Sequence, residues 1–394
     1  MSRRAALIVL DGLGIGAAND QAAYGDLGSN TLGNALAWAE IHRGSQVSLP
    51  NLEALGLGNC APLVGVPPVA GPSAAFGTAQ PKGCGKDSTT GHWELCGVVL
   101  SRPFPTFPTG FPADLIAEFG RRSGRAVIGN RAASGTTILD ELGPLHQRSG
   151  DWIVYTSADS VLQIAAHEAV IPVAELYRGC LVARELCVGP WGVSRVIARP
   201  FEGSPGEYVR TPRRRDYSLL PPGVTLLDAL ARSGVERIGI GKVDDLFAGR
   251  SIQSEHATTN RHAYRLIEQA LDTLAAGFIL ANVIEFDQTW GHRNDVAGFV
   301  GGLEELDRAL PGLLDRAQED DLIIFTADHG NDPTTPSTDH SRERVPVLAY
   351  GPKVRPVGLG ERSTFADIGQ TISEFLGVES LRDGRSFLGD IWNG

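Results

Sequence analysis

The chain has 394 residues, of which 42% are hydrophobic, and its formal net charge is −11. This length and apolar content predict a large buried core and two domains. The negative charge argues against binding to nucleic acid or anionic membranes, and no apolar stretch reaches the roughly 20 residues of a membrane-spanning helix. The five scattered cysteines lack a Cys-x-x-Cys pair, which argues against a disulfide framework and a thiolate zinc site. We therefore expect a cytoplasmic globular protein, and nothing in the composition indicates an obligate protein partner.

The amino-terminal segment is predicted to be a buried β-strand rather than a signal peptide. Residues 6–10 are apolar and precede Asp11, and no small-residue cleavage site follows them. Three later apolar runs, 153–158, 278–286 and 322–327, also end at an acidic residue. Continuous apolar strands are typical of parallel sheets covered by helices on both faces. In such sheets function is expected at the edge formed by the carboxyl ends of the strands.

The segment 85–94 places three consecutive hydroxyl side chains between glycines and charged residues. Ser88, Thr89 and Thr90 would have freedom and exposure there, as a residue that accepts a phosphoryl group requires. Attack on phosphorus also needs metal ions or a base that lower the pKa of the hydroxyl. The segment therefore predicts a nucleophile loop, and the remainder of the chain must supply those activating groups.

The middle of the chain is predicted to form a separate domain. Residues 101–108 are rich in proline and residues 214–223 are rich in turn formers, so we interpret both passages as hinges. The chain between them has its own strands and is long enough for an α+β domain. The predicted organisation is a discontinuous catalytic core at 1–100 and 218–394, with an inserted cap domain at 101–217 that selects the substrate.

Two amphipathic helices are predicted between the later strands. One covers residues 261–275, and the other begins after Asn294-Asp295, which is a plausible N-cap. Pro311 is expected to bend or end the second helix.

Six potential metal ligands follow the predicted strand ends of the core. A strand-end aspartate is commonly a turn or N-cap residue, and a single histidine is commonly structural. Together, however, these residues concentrate polar groups that are costly to bury without a function. The set predicts two three-ligand metal sites that share a hydroxyl, which is an arrangement suited to in-line phosphoryl transfer. The six residues are Asp11, Asp287, His292, Asp328, His329 and His340.

The chain carries distinctive motifs at residues 85–94, 104–108, 133–136, 155–160, 195–201, 286–293 and 326–340. Through these motifs it resembles the phosphopentomutases, which are members of the alkaline phosphatase superfamily. The resemblance implies an α/β core with a mostly parallel sheet flanked by helices, and an inserted α+β cap domain. Family members of this type use two Mn²⁺ ions, although Asp and His ligands would also suit zinc. The resemblance implies one metal held by Asp287, His292 and His340, and the other by Asp11, Asp328 and His329.

The resemblance also implies the activity and the remaining site residues. The implied reaction interconverts ribose 1-phosphate and ribose 5-phosphate, and the 2-deoxyribose forms, with a sugar bisphosphate as activator. It would proceed through a phosphorylated Ser88 and a 1,5-bisphosphate intermediate. Family members usually have threonine directly after Gly-Lys-Asp, whereas this chain has Ser88 there, with Thr89 as the alternative nucleophile. The implied substrate-binding residues are Asp159, Val161, Arg195, Ile197, Arg210 and Lys242.

Three other functions remain open from the sequence. A metal-dependent phosphatase and a cofactor-independent phosphoglycerate mutase would both use a site of the same superfamily. A non-catalytic protein that binds sugar phosphates is a third alternative from a different class. That alternative would be expected to lack a metal ligand, and all six ligands are present.

Overall fold

The computed structural model describes residues 3–157 and 160–394. The chain divides into two compact units, of which unit 1 comprises Met1–Arg102 and Pro221–Gly394, and unit 2 comprises Pro103–Leu220. Asp159, one of the predicted substrate-binding residues, lies outside the described residues. Within the described ranges, no helix combines the length and the apolar character needed to cross a membrane.

Helices and strands alternate along much of the chain, which is the order typical of an α/β fold. In chain order the elements are β1 (Arg4–Leu10), α1 (Thr31–Arg43), α2 (Pro50–Leu55), α3 (Leu57–Cys60), β2 (Ala75–Ala79), α4 (Ser88–Leu95), α5 (Ala113–Ser123), β3 (Val127–Ala132), α6 (Gly135–Ser149), β4 (Trp152–Thr156), β5 (Val161–His167), α7 (Val173–Leu186), β6 (Arg195–Glu202), β7 (Val209–Arg210), β8 (Arg215–Ser218), α8 (Leu226–Arg232), β9 (Arg237–Ile240), α9 (Val243–Leu246), β10 (Ser254–Glu255), α10 (Asn260–Thr273), β11 (Gly277–Val283), α11 (Val296–Leu314), β12 (Asp321–Thr326), β13 (Val345–Tyr350), β14 (Gly358–Arg362), α12 (Ala366–Phe375) and α13 (Leu388–Ile391).

Unit 1 is built on a sheet with the strand order β10-β9-β11-β1-β12-β13-β2-β14. Strands β9, β11, β1 and β12 are parallel neighbours, whereas β13 runs antiparallel to both β12 and β2. Every residue of β1, β11 and β12 is buried, as expected for central strands that are covered on both faces. The predicted α/β core with a mostly parallel sheet is confirmed.

The strand directions bring several distant chain segments to one edge of this sheet. Strands β9, β11, β1 and β12 end at that edge. Strand β2 also ends there, because two antiparallel pairings separate it from β12. Strand β13 runs the opposite way, so its first residue, Val345, lies at the same edge. The residues that flank these strand ends are therefore neighbours in space.

Some predicted elements end at other residues in the structure. The strand predicted over 278–286 ends at Val283, and a π-helical turn follows at Phe286–Trp290. Pro311, which was expected to bend or end its helix, does not end it, since α11 continues to Leu314. The N-cap of α11 is Asp295, whose side chain accepts a hydrogen bond from the Gly298 N–H at 2.8 Å.

Unit 2 has a separate sheet with the strand order β3-β4-β5-β6-β7, and β8 also pairs with β6. One face of this sheet packs against α5 and α7 in a core that includes Trp152, Leu162 and Val196. The other face packs in part against α6 through Ile153 and Tyr155. Unit 2 therefore has its own hydrophobic core on each face of its sheet.

Candidate metal and phosphoryl-transfer site

Four of the candidate metal ligands lie within a few residues of the carboxyl ends of strands of unit 1. Asp11 follows β1, Asp328 and His329 follow β12, and Asp287 lies beyond β11 in the π-helical turn Phe286–Trp290. Such turns occur frequently at functional sites. The side chains are buried, with 3% exposure or less, so their charges require close partners.

Asp11, Asp328 and His329 form one group, in which the potential ligand atoms lie within 4.8 Å of one another. His329 Nε2 is 3.3 Å from Asp11 Oδ1 and 3.4 Å from Asp328 Oδ2. The Nδ1 atom of His329 is 3.0 Å from the carbonyl oxygen of Gly330, which can only accept a hydrogen bond. Nδ1 therefore carries a proton, and Nε2 is the nitrogen directed at the carboxylates.

Asp287, His329 and His340 form a second group, in which the potential ligand atoms also lie within 4.8 Å of one another. His329 therefore belongs to both groups. Asp287 Oδ1 is 3.2 Å from His340 Nε2, and Asp287 Oδ2 is 3.4 Å from His292 Nε2. His292 Nδ1 donates to the carbonyl of Thr338 at 2.6 Å, which orients its other nitrogen towards Asp287. The structure thus brings all six predicted ligands together, with His292 beside the second group.

The cluster concentrates negative charge that neighbouring cations compensate. Burial alone would raise the pKa of Asp11, but Lys242 and His329 outweigh it and hold that pKa below its ordinary value. Burial would also raise the pKa of Asp287, but His340 and His292 outweigh this effect and hold the pKa below its ordinary value. For His329, burial lowers the pKa, whereas the charges of Asp328 and Asp11 raise it to about 10. A cation is therefore strongly favoured at His329 Nε2.

The donor set fits a pair of divalent metal ions. Carboxylate oxygens and imidazole nitrogens together suit manganese or zinc. Asp328 Oδ2 is buried and has no hydrogen-bond partner among the described residues, so a lone pair remains for an ion. An ion held by these residues would place positive charge beside the hydroxyl of Ser88.

Ser88 is the first residue of α4 and lies against this cluster. Its Oγ is 3.3 Å from Asp11 Oδ1 and 3.1 Å from His329 Nε2. Lys242 Nζ is 3.5 Å from Ser88 Oγ and 2.7 Å from Asp11 Oδ2. The hydroxyl therefore has both anionic and cationic groups within reach, as an activated nucleophile requires.

The three hydroxyl residues predicted to lie in an exposed loop instead form the first turn of helix α4, and all three are buried. Asp87 caps the helix, since its Oδ1 accepts from the Thr90 N–H at 3.1 Å, and Thr90 Oγ1 donates to the Asp87 carbonyl at 2.9 Å. Thr90 is thereby engaged in the cap, whereas Ser88 lies at the positive end of the helix dipole, where negative charge is stabilised. Gly91 is required for close approach, because a Cβ there would collide with the main chain of Asp328.

Sequence reasoning missed the polar side chains that lie behind the candidate ligands. Asn282 Nδ2 is 3.1 Å from Asp11 Oδ2 and 3.3 Å from His92 Nε2. His92 Nδ1 donates to the Ser88 carbonyl at 2.9 Å and lies 3.0 Å from Asp328 Oδ2 without the alignment of a hydrogen bond. These contacts orient the side chains of the candidate metal ligands Asp11 and Asp328. The available signal was an asparagine within the apolar run of β11, because a polar group buried there needs a partner.

The described candidate substrate-binding residues of unit 2 share one face of its sheet. Val161 pairs with Arg195, and Ile197 lies two residues further along β6. Arg210 pairs with the opposite end of β6. Arg195 Nη1 is 3.3 Å from Asp216 Oδ2, and its side chain is 37% exposed. This face therefore presents arginine side chains to which an anionic ligand could bind.

Comparison with known proteins identifies the family. The model of the metalloenzyme superfamily matches residues 3–380. The phosphopentomutase of Dictyoglomus turgidum is 51% identical over 394 residues, which cover 100% of this chain and 99% of that protein. The phosphopentomutase of Desulfitobacterium hafniense is 51% identical, with 99% of this chain and 100% of that protein covered, and that of Thermotoga petrophila is 50% identical with the same coverage. At this identity over its full length, the chain belongs to the phosphopentomutase family of the metalloenzyme superfamily.

Proposed function

We propose that this enzyme interconverts ribose 1-phosphate and ribose 5-phosphate, and the 2-deoxyribose forms, through a phosphorylated Ser88. The observation that carries the proposal is the position of Ser88 Oγ, within 3.3 Å of both Asp11 and His329 at the start of a helix. Membership of the phosphopentomutase family supports an isomerase that relocates a phosphoryl group on a sugar.

The proposed reaction has two phosphoryl transfers. The free hydroxyl of the bound sugar phosphate attacks the phosphorus on Ser88, so that a new O–P bond forms while the Oγ–P bond breaks. In net terms the hydroxyl proton moves to Ser88 Oγ, and the product is a 1,5-bisphosphate. After this intermediate turns round, Ser88 Oγ attacks the other phosphoryl group and releases the isomeric monophosphate. Ser88 ends the cycle phosphorylated, as it began.

Residues of unit 1 would stabilise the charges that develop during these transfers. Lys242 Nζ, 3.5 Å from Ser88 Oγ, would stabilise the oxygen as the O–P bond breaks. The main-chain N–H groups of Ser88 and Thr89, at the start of α4, would stabilise the phosphoryl oxygens. Two Mn²⁺ ions would add positive charge at the same oxygens. We propose the ligand sets Asp287, His292 and His340 for one ion, and Asp11, Asp328 and His329 for the other.

A sugar bisphosphate is the proposed activator, because it can transfer a phosphoryl group to an unphosphorylated Ser88. On the substrate side, arginine offers a planar fork of N–H donors that matches phosphate. We propose that the residues of unit 2 that contact the sugar phosphate are Asp159, Val161, Arg195, Ile197 and Arg210.

The test is incubation of the Mn²⁺-loaded enzyme with ribose 5-phosphate and a catalytic amount of a ribose 1,5-bisphosphate, followed by phosphorus NMR. We expect ribose 1-phosphate to accumulate to equilibrium without inorganic phosphate. Inorganic phosphate without ribose 1-phosphate would identify a metal-dependent phosphatase. Turnover of 3-phosphoglycerate but not of pentose phosphate would identify a phosphoglycerate mutase, and binding without turnover would identify a non-catalytic sugar-phosphate-binding protein.

Substitution Arg195→Met is expected to lower kcat/KM for ribose 5-phosphate by about 10- to 100-fold, because charge-assisted hydrogen bonds to phosphate are lost. Initial rates over a range of substrate concentrations measure this effect. Arg121→Met is the matched control, since Arg121 is 71% exposed on α5 of the same unit and pairs with Glu118. Equal kcat/KM values for the two variants would contradict the assignment of Arg195.

A further inference from the structure

Arg342 is a buried arginine of unit 1, 3% exposed, whose five N–H groups can each be matched to an acceptor. Nε and Nη2 donate to the two carboxylate oxygens of Asp20, both at 3.0 Å. Nη1 donates to the carbonyls of Gly83 and Gly85 at 2.7 and 2.5 Å, and Nη2 also donates to the carbonyl of Pro81 at 3.0 Å. Three of the five acceptors therefore belong to the short segment between β2 and α4.

This segment, residues 81–87, leads directly into Ser88. Tyr24 also contacts this segment, since its hydroxyl accepts from the Gly85 N–H at 3.2 Å, and its ring centroid lies 4.6 Å from the Arg342 guanidinium. Carbonyl groups that point towards a fixed planar fork have little freedom to move. The guanidinium therefore restrains the segment that leads into α4, together with Glu94, whose carboxylate accepts from the N–H groups of Lys82 and Gly83.

The same arginine belongs to the chain segment that carries His340, two residues earlier. Its main-chain N–H donates to Asp26 Oδ2 at 2.8 Å, and Lys86 Nζ pairs with Asp26 Oδ1 at 2.8 Å and with Asp339 Oδ2 at 3.3 Å. Hydrogen bonds and ion pairs therefore connect the segment before Ser88 to the segment around His340 in two places.

We propose that Arg342 is a positioning residue for phosphoryl transfer: it holds the start of α4, and so the hydroxyl of Ser88, at a fixed place relative to the candidate metal ligands. The inference rests on the proposed role of Ser88 as nucleophile. A lysine cannot replace the arginine, because its three donors share one nitrogen and cannot reach acceptors on several sides. Displacement of a reacting atom by about 1 Å can lower a rate about 100-fold.

The test compares Arg342→Lys with Arg4→Lys in the Mn²⁺-loaded enzyme. Arg4 is a matched control because it is 1% exposed, pairs with Asp321 and donates to main-chain carbonyls, yet lies at the amino end of β1, away from the site. We expect Arg342→Lys to lower kcat by about 10- to 100-fold with less than about a threefold change in KM for ribose 5-phosphate. We expect Arg4→Lys to leave kcat of the folded enzyme unchanged.

Hydrogen exchange measured by mass spectrometry provides a readout that does not depend on turnover. Amide exchange in residues 81–87 is expected to be about tenfold faster in Arg342→Lys and unchanged in Arg4→Lys. Equal kcat values for the two variants, or unchanged exchange in residues 81–87, would overturn the proposal. If the wild-type enzyme failed to interconvert pentose phosphates, the proposed function would fall, whereas the exchange comparison would still decide whether Arg342 holds the segment.

Two milder variants keep the proposal testable if Arg342→Lys does not fold. Asp20→Asn removes a carboxylate charge from a side chain that is 47% exposed, and Tyr24→Phe removes only the hydroxyl that accepts from Gly85. Each is expected to lower kcat by about 3- to 10-fold and to speed exchange in residues 81–87 by a similar factor. Wild-type kcat in both variants would overturn the proposal.

Discussion

Substitution Ser88→Ala is expected to lower kcat for pentose phosphate isomerisation by about 1000-fold or more, because the oxygen that carries the phosphoryl group is removed. The folded state should be little affected, since Asp87 and Thr90 form the cap of α4 and both remain. Intact-mass measurement after incubation with a sugar bisphosphate supplies a second readout. The wild-type enzyme should gain the mass of one phosphoryl group, and Ser88→Ala should not.

Two further variants separate Ser88 from its neighbours. Ser88→Thr keeps a hydroxyl at the same position and is expected to retain much of the activity and the phosphoryl group. Thr89→Ala is expected to retain both as well. Loss of activity in Thr89→Ala, together with a phosphorylated peptide that maps to Thr89, would show that the adjacent hydroxyl is the nucleophile.

Substitution Asp287→Asn is expected to remove one of the two metal ions proposed per chain and to lower kcat by about 100-fold or more. The physical reason is the geometry of its carboxylate, with one oxygen 3.2 Å from His340 Nε2 and the other 3.4 Å from His292 Nε2. Asparagine at this position has no negative charge, and its NH2 group, a hydrogen-bond donor, replaces one of the two carboxylate oxygens. Elemental analysis of the dialysed protein and calorimetric titration of Mn²⁺ into the metal-free protein measure the stoichiometry.

Asp321→Asn is the matched control for the metal prediction. Asp321 is equally buried, at 2% exposure, but it pairs with Arg4 at the amino end of β12, the opposite edge of the same sheet from the candidate ligands. We expect this variant to lose thermal stability, because it leaves a buried arginine without its charge partner. It should still bind two metal ions per chain. Unchanged metal stoichiometry in Asp287→Asn would contradict the proposed ligand sets.

The α/β core was predictable because its strands are continuous apolar runs that end at acidic residues. Ala6 to Leu10 before Asp11 is the clearest case, and β1 occupies this position with every residue buried. Element ends were less accurate, as at β11, which stops at Val283 before a π-helical turn. The turn depends on packing and hydrogen bonding around Asp287 that the hydrophobic pattern does not describe.

The helical state of residues 88–94, which were predicted to lie in a loop, was also missed. Asp87 followed by three hydroxyl residues is a cap signal, but the hydroxyls and flanking glycines equally suit a loop. Tertiary contacts decide between the two states, since Trp93 and Leu95 are completely buried and Gly91 packs against the main chain of Asp328. The helix is therefore stabilised mainly by burial of α4 in the core, because the local preference of these residues for a helix is weak.

The sequence by itself determined the residue types available for chemistry: strand-end carboxylates, three histidines, a hydroxyl cluster and arginines in the middle of the chain. These signals are local, because apolar periodicity and motif spacing extend over only a few residues. Only the tertiary structure decided that β9, β11, β1 and β12 lie side by side, that β13 reverses direction, and that Arg342 reaches the segment before Ser88. The reason is that strand order and buried polar contacts depend on packing between residues hundreds of positions apart, which no local pattern encodes.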